Sequence, residues 1–121
     1  MDGRIALIGG GRIGEALLAG LITAGHEPGA LTVAEPHAGR GGELAERYGV
    51  ATVTTVAEAV DAADLVVIAV KPDVVSAILP DVASALRPGA VVASVAAGVP
   101  TTVYEAALPD GTPVVRVMPN T

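Results

Sequence analysis

Residues 5 to 21 read IALIGGGRIGEALLAGL. Four apolar residues, Ile5 to Ile8, run into the glycines at 9, 10 and 11, and apolar residues then return at three-to-four spacing. The first half has the look of a buried strand and the second that of a helix: Ile13, Leu17 and Ala24 form one apolar row, with Leu18, Leu21 and Ile22 beside it. Gly9, Gly11 and Gly14 therefore spell G-x-G-x-x-G at a strand-to-helix junction. In that setting the first glycine makes a tight turn, the second lets the backbone approach a pyrophosphate, and the third brings helix and strand close together. The stretch predicts a dinucleotide-binding turn.

Outward from that stretch, apolar runs keep alternating with helix-like segments. The chain predicts strands over 4–9, 31–35, 51–54, 64–70, 90–98 and 113–118, and helices over 13–25, 39–49, 55–63, 73–86 and 101–108. Gly25 and Gly49 read as helix stops, Thr54 or Thr55 as the cap of the third helix, and Pro80 as a residue that must kink or split the fourth. No linker, repeat or low-complexity tract interrupts the alternation. The expected architecture is α/β: a Rossmann-type, doubly wound, mainly parallel sheet with helices on both faces.

Composition agrees. The chain has 121 residues, 51% of them hydrophobic, and its only aromatics are Tyr48 and Tyr104, so the core must be built from aliphatic runs of the kind buried on both faces of a parallel sheet. With no cysteine there is no disulfide framework and no thiolate metal site or nucleophile, and His26 and His37 lack a metal-ligand spacing, so no metal site is expected. A formal net charge of -6 argues against nucleic-acid binding. It does not argue against an anionic cofactor, which backbone amides at a helix N-terminus hold locally. No apolar run reaches the ~20 residues of a membrane span and no secretory leader is apparent, so a cytoplasmic protein without membrane contact is expected.

Several side chains fall where such a fold places ligands. Glu35 closes the second strand about 20 residues beyond Gly14, the position of an acid on the adenine ribose. His37 and Arg40 follow closely and carry the opposite option, a contact to a 2′-phosphate, so the choice between NAD(H) and NADP(H) stays open. Arg12 opens the first helix and is placed to pair with a pyrophosphate. Lys71, ahead of Pro72, ends the fourth strand at the sheet's carboxyl edge. Asp64 reads as a turn cap, Arg116 as an edge or face residue paired with an acid, and Ser76, Ser84 and Ser94 as surface residues of helix or strand. No acid–base pair or nucleophilic constellation emerges, so no catalytic residue is assigned in this chain. Hydride transfer requires none in the cofactor domain.

Taken together, IGGGRIGEALLAGL (8–21), AVKP (69–72), SVAAGVP (94–100) and TPVVRVMPNT (112–121) resemble the pyrroline-5-carboxylate reductase family over the whole chain. That family reduces the cyclic imine of 1-pyrroline-5-carboxylate to L-proline with NADPH or NADH. The resemblance implies cofactor contacts from Ile8, Gly9, Gly10, Gly11, Arg12 and Ile13, from Ala69, Val70, Lys71 and Pro72, and from Ala96, Ala97 and Gly98, with Asn120 near the nicotinamide. The chain departs from the family at Arg12-Ile13, where many relatives carry Asn-Met or Gln-Met, and at Val56, where several place an asparagine on the adenosine ribose. In the family, VMPNT continues into an all-helical domain that makes the dimer and much of the imine pocket. Residues 1–121 are accordingly read as the NAD(P)-binding domain, with the helical dimerisation and substrate domain absent from this chain, an exposed apolar patch where it would dock, and a homo-oligomeric full-length form. Two other readings remain: the cofactor domain of another imine or deazaflavin-linked NADP oxidoreductase, and a nucleotide-sensing module without chemistry.

Overall fold

The structure is a computed structural model that describes residues 3–117. Six strands, β1 (Ile5–Ile8), β2 (Leu31–Ala34), β3 (Ala51–Val53), β4 (Leu65–Ile68), β5 (Val91–Ser94) and β6 (Val114–Arg116), form one sheet in the order β3-β2-β1-β4-β5-β6. Every pairing is parallel. Helices α1 (Arg12–Thr23), α2 (Ala38–Tyr48), α3 (Val56–Val60), α4 (Pro72–Ala85) and α5 (Thr101–Ala107) fill the crossovers.

The alternation of side chains along each strand divides the core in two. Ile5, Leu7, Leu31, Val33 and Val67 point to the face covered by α1 and α2, where they meet Leu18 and Leu44. Ala6, Ile8, Val66, Ile68 and Val92 point to the other face, packed by Val60 of α3, Val75, Leu79 and Val82 of α4 and Tyr104 of α5. Each such fully buried side chain contributes ~1.5–3 kcal/mol of transfer free energy. On β6, Val114 joins the second cluster, while Val115, which points the other way, stays 50% exposed.

The strands are shorter than the apolar runs. The runs over 64–70 and 90–98 give ladders of four residues only, Leu65–Ile68 and Val91–Ser94, because β1 offers four partners and the chain beyond turns out into loops at the carboxyl edge. A short 3-10 turn, Pro28–Ala30, enters β2 without having been anticipated. Thr55 is the cap of α3, its hydroxyl accepting from the Glu58 amide.

Pro80 does not split α4, which runs unbroken from Pro72 to Ala85. Val75, Leu79 and Val82 hold its inner face in the core, while Pro80 and Ser76, whose carbonyl the proline leaves without a helical donor, both lie on the exposed face where water solvates it. Ser94 is not a surface residue either. It is 1% exposed, hydroxyl to hydroxyl with buried Tyr104 at 2.6 Å, and it accepts from the Ala96 amide at 3.2 Å. Asp64 caps no preceding turn; its carboxylate accepts from the Arg4 amide at 2.9 Å and from Arg87 at 3.3 Å, tying β4 to the start of β1. Arg116 does lie on an edge strand, exposed, but pairs with no acid among the described residues.

Candidate functional site

The strand order reverses direction at β1, whose neighbours are β2 on one side and β4 on the other. In open parallel sheets the crevice beyond the carboxyl ends at such a point is where ligands bind. Three loops converge on that edge: residues 9–11 after β1, 69–71 after β4, and 95–100 after β5. Backbone bonds extend the ladder one residue into each: Gly9 donates to the Ala34 carbonyl at 3.0 Å, Ala69 to Ile8 at 2.8 Å, and Val95 to Ile68 at 3.0 Å.

The glycines of the first loop differ in what requires them. Gly9 has a φ of 111° and passes so close to β4 that an added Cβ would lie 2.8 Å from the Ala69 carbonyl oxygen. At Gly14 a Cβ would sit 2.1 Å from the Gly9 carbonyl oxygen, so α1 reaches the loop only without a side chain there. Gly10 is pressed against Glu35 and Leu44, with 2.8 and 2.9 Å available to a Cβ. Gly11 alone faces open space, with nothing within 4 Å, and its φ of -75° suits any residue. Neither a steric contact nor the backbone angle requires a glycine there.

Gly11 is also the cap of α1, and no side chain caps that end. Among the described residues nothing accepts from the Arg12 and Ile13 amides, which open the helix beside exposed Arg12 and the 56%-exposed Ile13. These amides and the positive end of the helix dipole suit a bound anion. Across the crevice, exposed Lys71 caps α4 and Pro72 takes the first helical position, where a missing N–H costs nothing. Ala96 is buried, while Ala97 and Gly98 are exposed at the mouth of the third loop. Ile8, Gly9 to Ile13, Ala69 to Pro72 and Ala96 to Gly98 thus lie along one edge of the sheet. Asn120 lies outside the described residues.

Glu35 and Arg40 are engaged with the protein itself. Glu35 is 7% exposed, and its carboxylate accepts from the amides of Gly10 and His37, each at 3.0 Å. Arg40 donates to the Gly10 carbonyl at 2.7 Å and to Glu15 at 2.6 Å. Glu15, in the first turn of α1, also accepts from Arg47 and from the Tyr48 hydroxyl.

This cluster was not anticipated. Its trace in the sequence is the row Arg40, Leu44, Arg47 and Tyr48, spaced as one face of α2, with nothing to say that the face meets Glu15. Bonds from Tyr48, Arg40 and Arg47 hold the Glu15 carboxyl down at about 2. A depressed folded-state pKa stabilises the fold above the unfolded value, here 4.5, and the contribution disappears as pH falls through about 2. Glu15→Gln is therefore expected to lose a constant increment of stability above about pH 5, with the gap to the parent chain closing as pH drops from 4.5 towards 2. Chemical denaturation of both chains across that range checks it; a gap independent of pH would contradict the ion-pair account.

Residues 4–98 match the family described as NADP oxidoreductase, coenzyme F420-dependent. The pyrroline-5-carboxylate reductase of Mycobacterium leprae is 49% identical over 122 residues, covering 97% of this chain and 41% of that protein. Among solved structures, a pyrroline-5-carboxylate reductase from Coxiella burnetii superposes with a TM-score of 0.93 at 31% identity, over 100% of this chain and 45% of that one. An imine reductase variant from Myxococcus stipitatus in complex with NAD+ gives a TM-score of 0.76 at 26% identity, over 96% and 40%. The chain thus spans less than half the length of these relatives.

Proposed function

The chain belongs to the family described as NADP oxidoreductase, coenzyme F420-dependent, and on that premise we propose that it is the dinucleotide-binding part of an NAD(P)H-dependent reductase of 1-pyrroline-5-carboxylate. The observation that carries this reading is Gly11, a glycine that no steric contact or backbone angle requires, set in open space at an N-terminus of α1 that no side chain caps. A pyrophosphate fits there against the backbone. The similarity to pyrroline-5-carboxylate reductases along nearly the whole chain supports the substrate class.

When bound, the reduced nicotinamide would supply the hydride that adds to the imine carbon, while the imine nitrogen takes a proton to become the amine of proline. This chain's own residues bind and orient. The amides of Gly11, Arg12 and Ile13 take the pyrophosphate, with the Arg12 guanidinium beside them. Ala69 to Pro72 and Ala96 to Gly98 line the way to the nicotinamide. Ser94, its hydroxyl held by that of Tyr104, accepts from the Ala96 amide and so fixes the start of that last loop. The pocket for the imine and its carboxylate belongs to the part of such reductases that this chain does not span. Exposed Ile13, Val74, Val115 and Val117 are apolar surface suited to meeting that part, which would also carry the contacts of a homo-oligomer.

Titration followed by the fluorescence of the reduced nicotinamide, excited where no protein side chain absorbs, tests the reading. Saturable binding of NADH or NADPH is expected, with little or no proline formed from the cyclic imine acid by the 121-residue chain. Absence of dinucleotide binding would sink the cofactor assignment. Proline formation at the rate of a complete enzyme would overturn the division of the active site.

A further inference from the structure

The backbone of Gly10 is gripped on both sides of its Cα. Its N–H donates to Glu35 and its carbonyl accepts from Arg40, at 3.0 and 2.7 Å. Neither grip is free to wander. Glu35 is buried and its second oxygen is taken by the His37 amide. Arg40 is anchored by Glu15 at 2.6 Å, and Glu15 in turn by Arg47 and Tyr48. The loop has no slack against these groups, since a Cβ on Gly10 would lie 2.8 Å from the Glu35 carboxylate and 2.9 Å from Leu44. The end of β2, one face of α2 and the first turn of α1 thus meet on a single residue, whose two flanking peptide groups are both held immediately before Gly11.

We propose that Glu35 and Arg40 are positioning residues that lock the two peptide groups flanking Gly10, so that they set affinity for the diphosphate common to both dinucleotides and not the choice between them. This rests on the dinucleotide reading above. The physical reason is that the amides after Gly10 bind an anion only if aimed at it, and a displacement of ~1 Å is enough to lose such contacts. A carboxylate with both oxygens occupied by backbone amides makes a poor reader of the ribose 2′ position, and so does a guanidinium whose fixed fork is divided between a carbonyl and a carboxylate.

The test is calorimetric titration of the chain with NADH, NADPH and ADP-ribose, for the parent, Arg40→Met, Arg40→Lys and Glu35→Gln, each below its own unfolding midpoint. Arg40→Met and Glu35→Gln are expected to weaken all three ligands by about 10-fold, with the NADPH-to-NADH ratio kept within about 2-fold. Arg40→Lys, able to reach one partner but not both, should recover part of the loss. Amide exchange at Gly10 should quicken in Glu35→Gln, a readout that survives even if affinity changes are small.

Loss confined to NADPH in Arg40→Met would make Arg40 a 2′-phosphate reader and overturn the proposal. A gain confined to NADPH in Glu35→Gln would do the same for Glu35. Lower midpoints with unchanged affinities would reduce both to structural roles. If the parent chain binds neither dinucleotide, the functional reading fails together with this one, whereas parent binding with unaffected variants sinks the lock alone.

Discussion

Gly11→Val is expected to fold as the parent chain does and to bind NADH and NADPH at least about 100-fold more weakly, a loss of ~2.7 kcal/mol. The backbone there tolerates a side chain, with a φ of -75°, and the space around it is open, so no steric clash resists the substitution. Its cost to the fold is the poorer cap that valine makes for α1, about 0.5–1 kcal/mol. The branched side chain would instead fill the space proposed for the pyrophosphate. Gly11→Ser separates the two effects: serine is a good helix cap, so stability should be held or raised while binding still weakens. Unchanged titration curves for the valine variant would remove the main support for a dinucleotide site.

The second large effect falls three residues further on and has the opposite origin. A Cβ on Gly14 would lie 2.1 Å from the Gly9 carbonyl oxygen, a distance that no rotamer relieves because both atoms belong to or sit on the backbone. Gly14→Ala must therefore push α1 away from the loop and from the cluster around Leu18. Overpacking of this kind costs ~3 kcal/mol, which for a domain of this size lowers the midpoint of thermal unfolding by about 10 °C. Gly20→Ala in the same helix is the control. Gly20 is exposed with nothing within 4 Å of a Cβ, so alanine there should stabilise by about 0.5–1 kcal/mol through helix propensity. Calorimetry on the two variants checks the pair, and equal midpoints would show that α1 has room to move.

Much of this was legible in the residues. Aliphatic runs separated by helical periodicity predicted the parallel sheet, since strands covered on both faces leave that pattern. What misled were features whose meaning depends on orientation. Pro80 is tolerated because it points outward, and Ser94 is buried because its strand position faces Tyr104. At the site, the turn and the close helix packing followed from glycine spacing. The hydrogen-bond partners of Glu35 and Arg40 did not, because residue type and spacing locate a charge without saying which groups around it compete for its hydrogen bonds.

The order of elements, the two-faced core and the place of the glycine turn were already written in local patterns, because strand and helix periodicities and glycine spacing act over a few residues. Packing alone settled that β1 sits between β2 and β4, that Glu15 gathers Arg40, Arg47 and Tyr48, and that Gly10 is held between Glu35 and Arg40. These contacts join residues 25 to 33 positions apart, and a hydrogen bond over such a separation exists only once the sheet has brought its elements together.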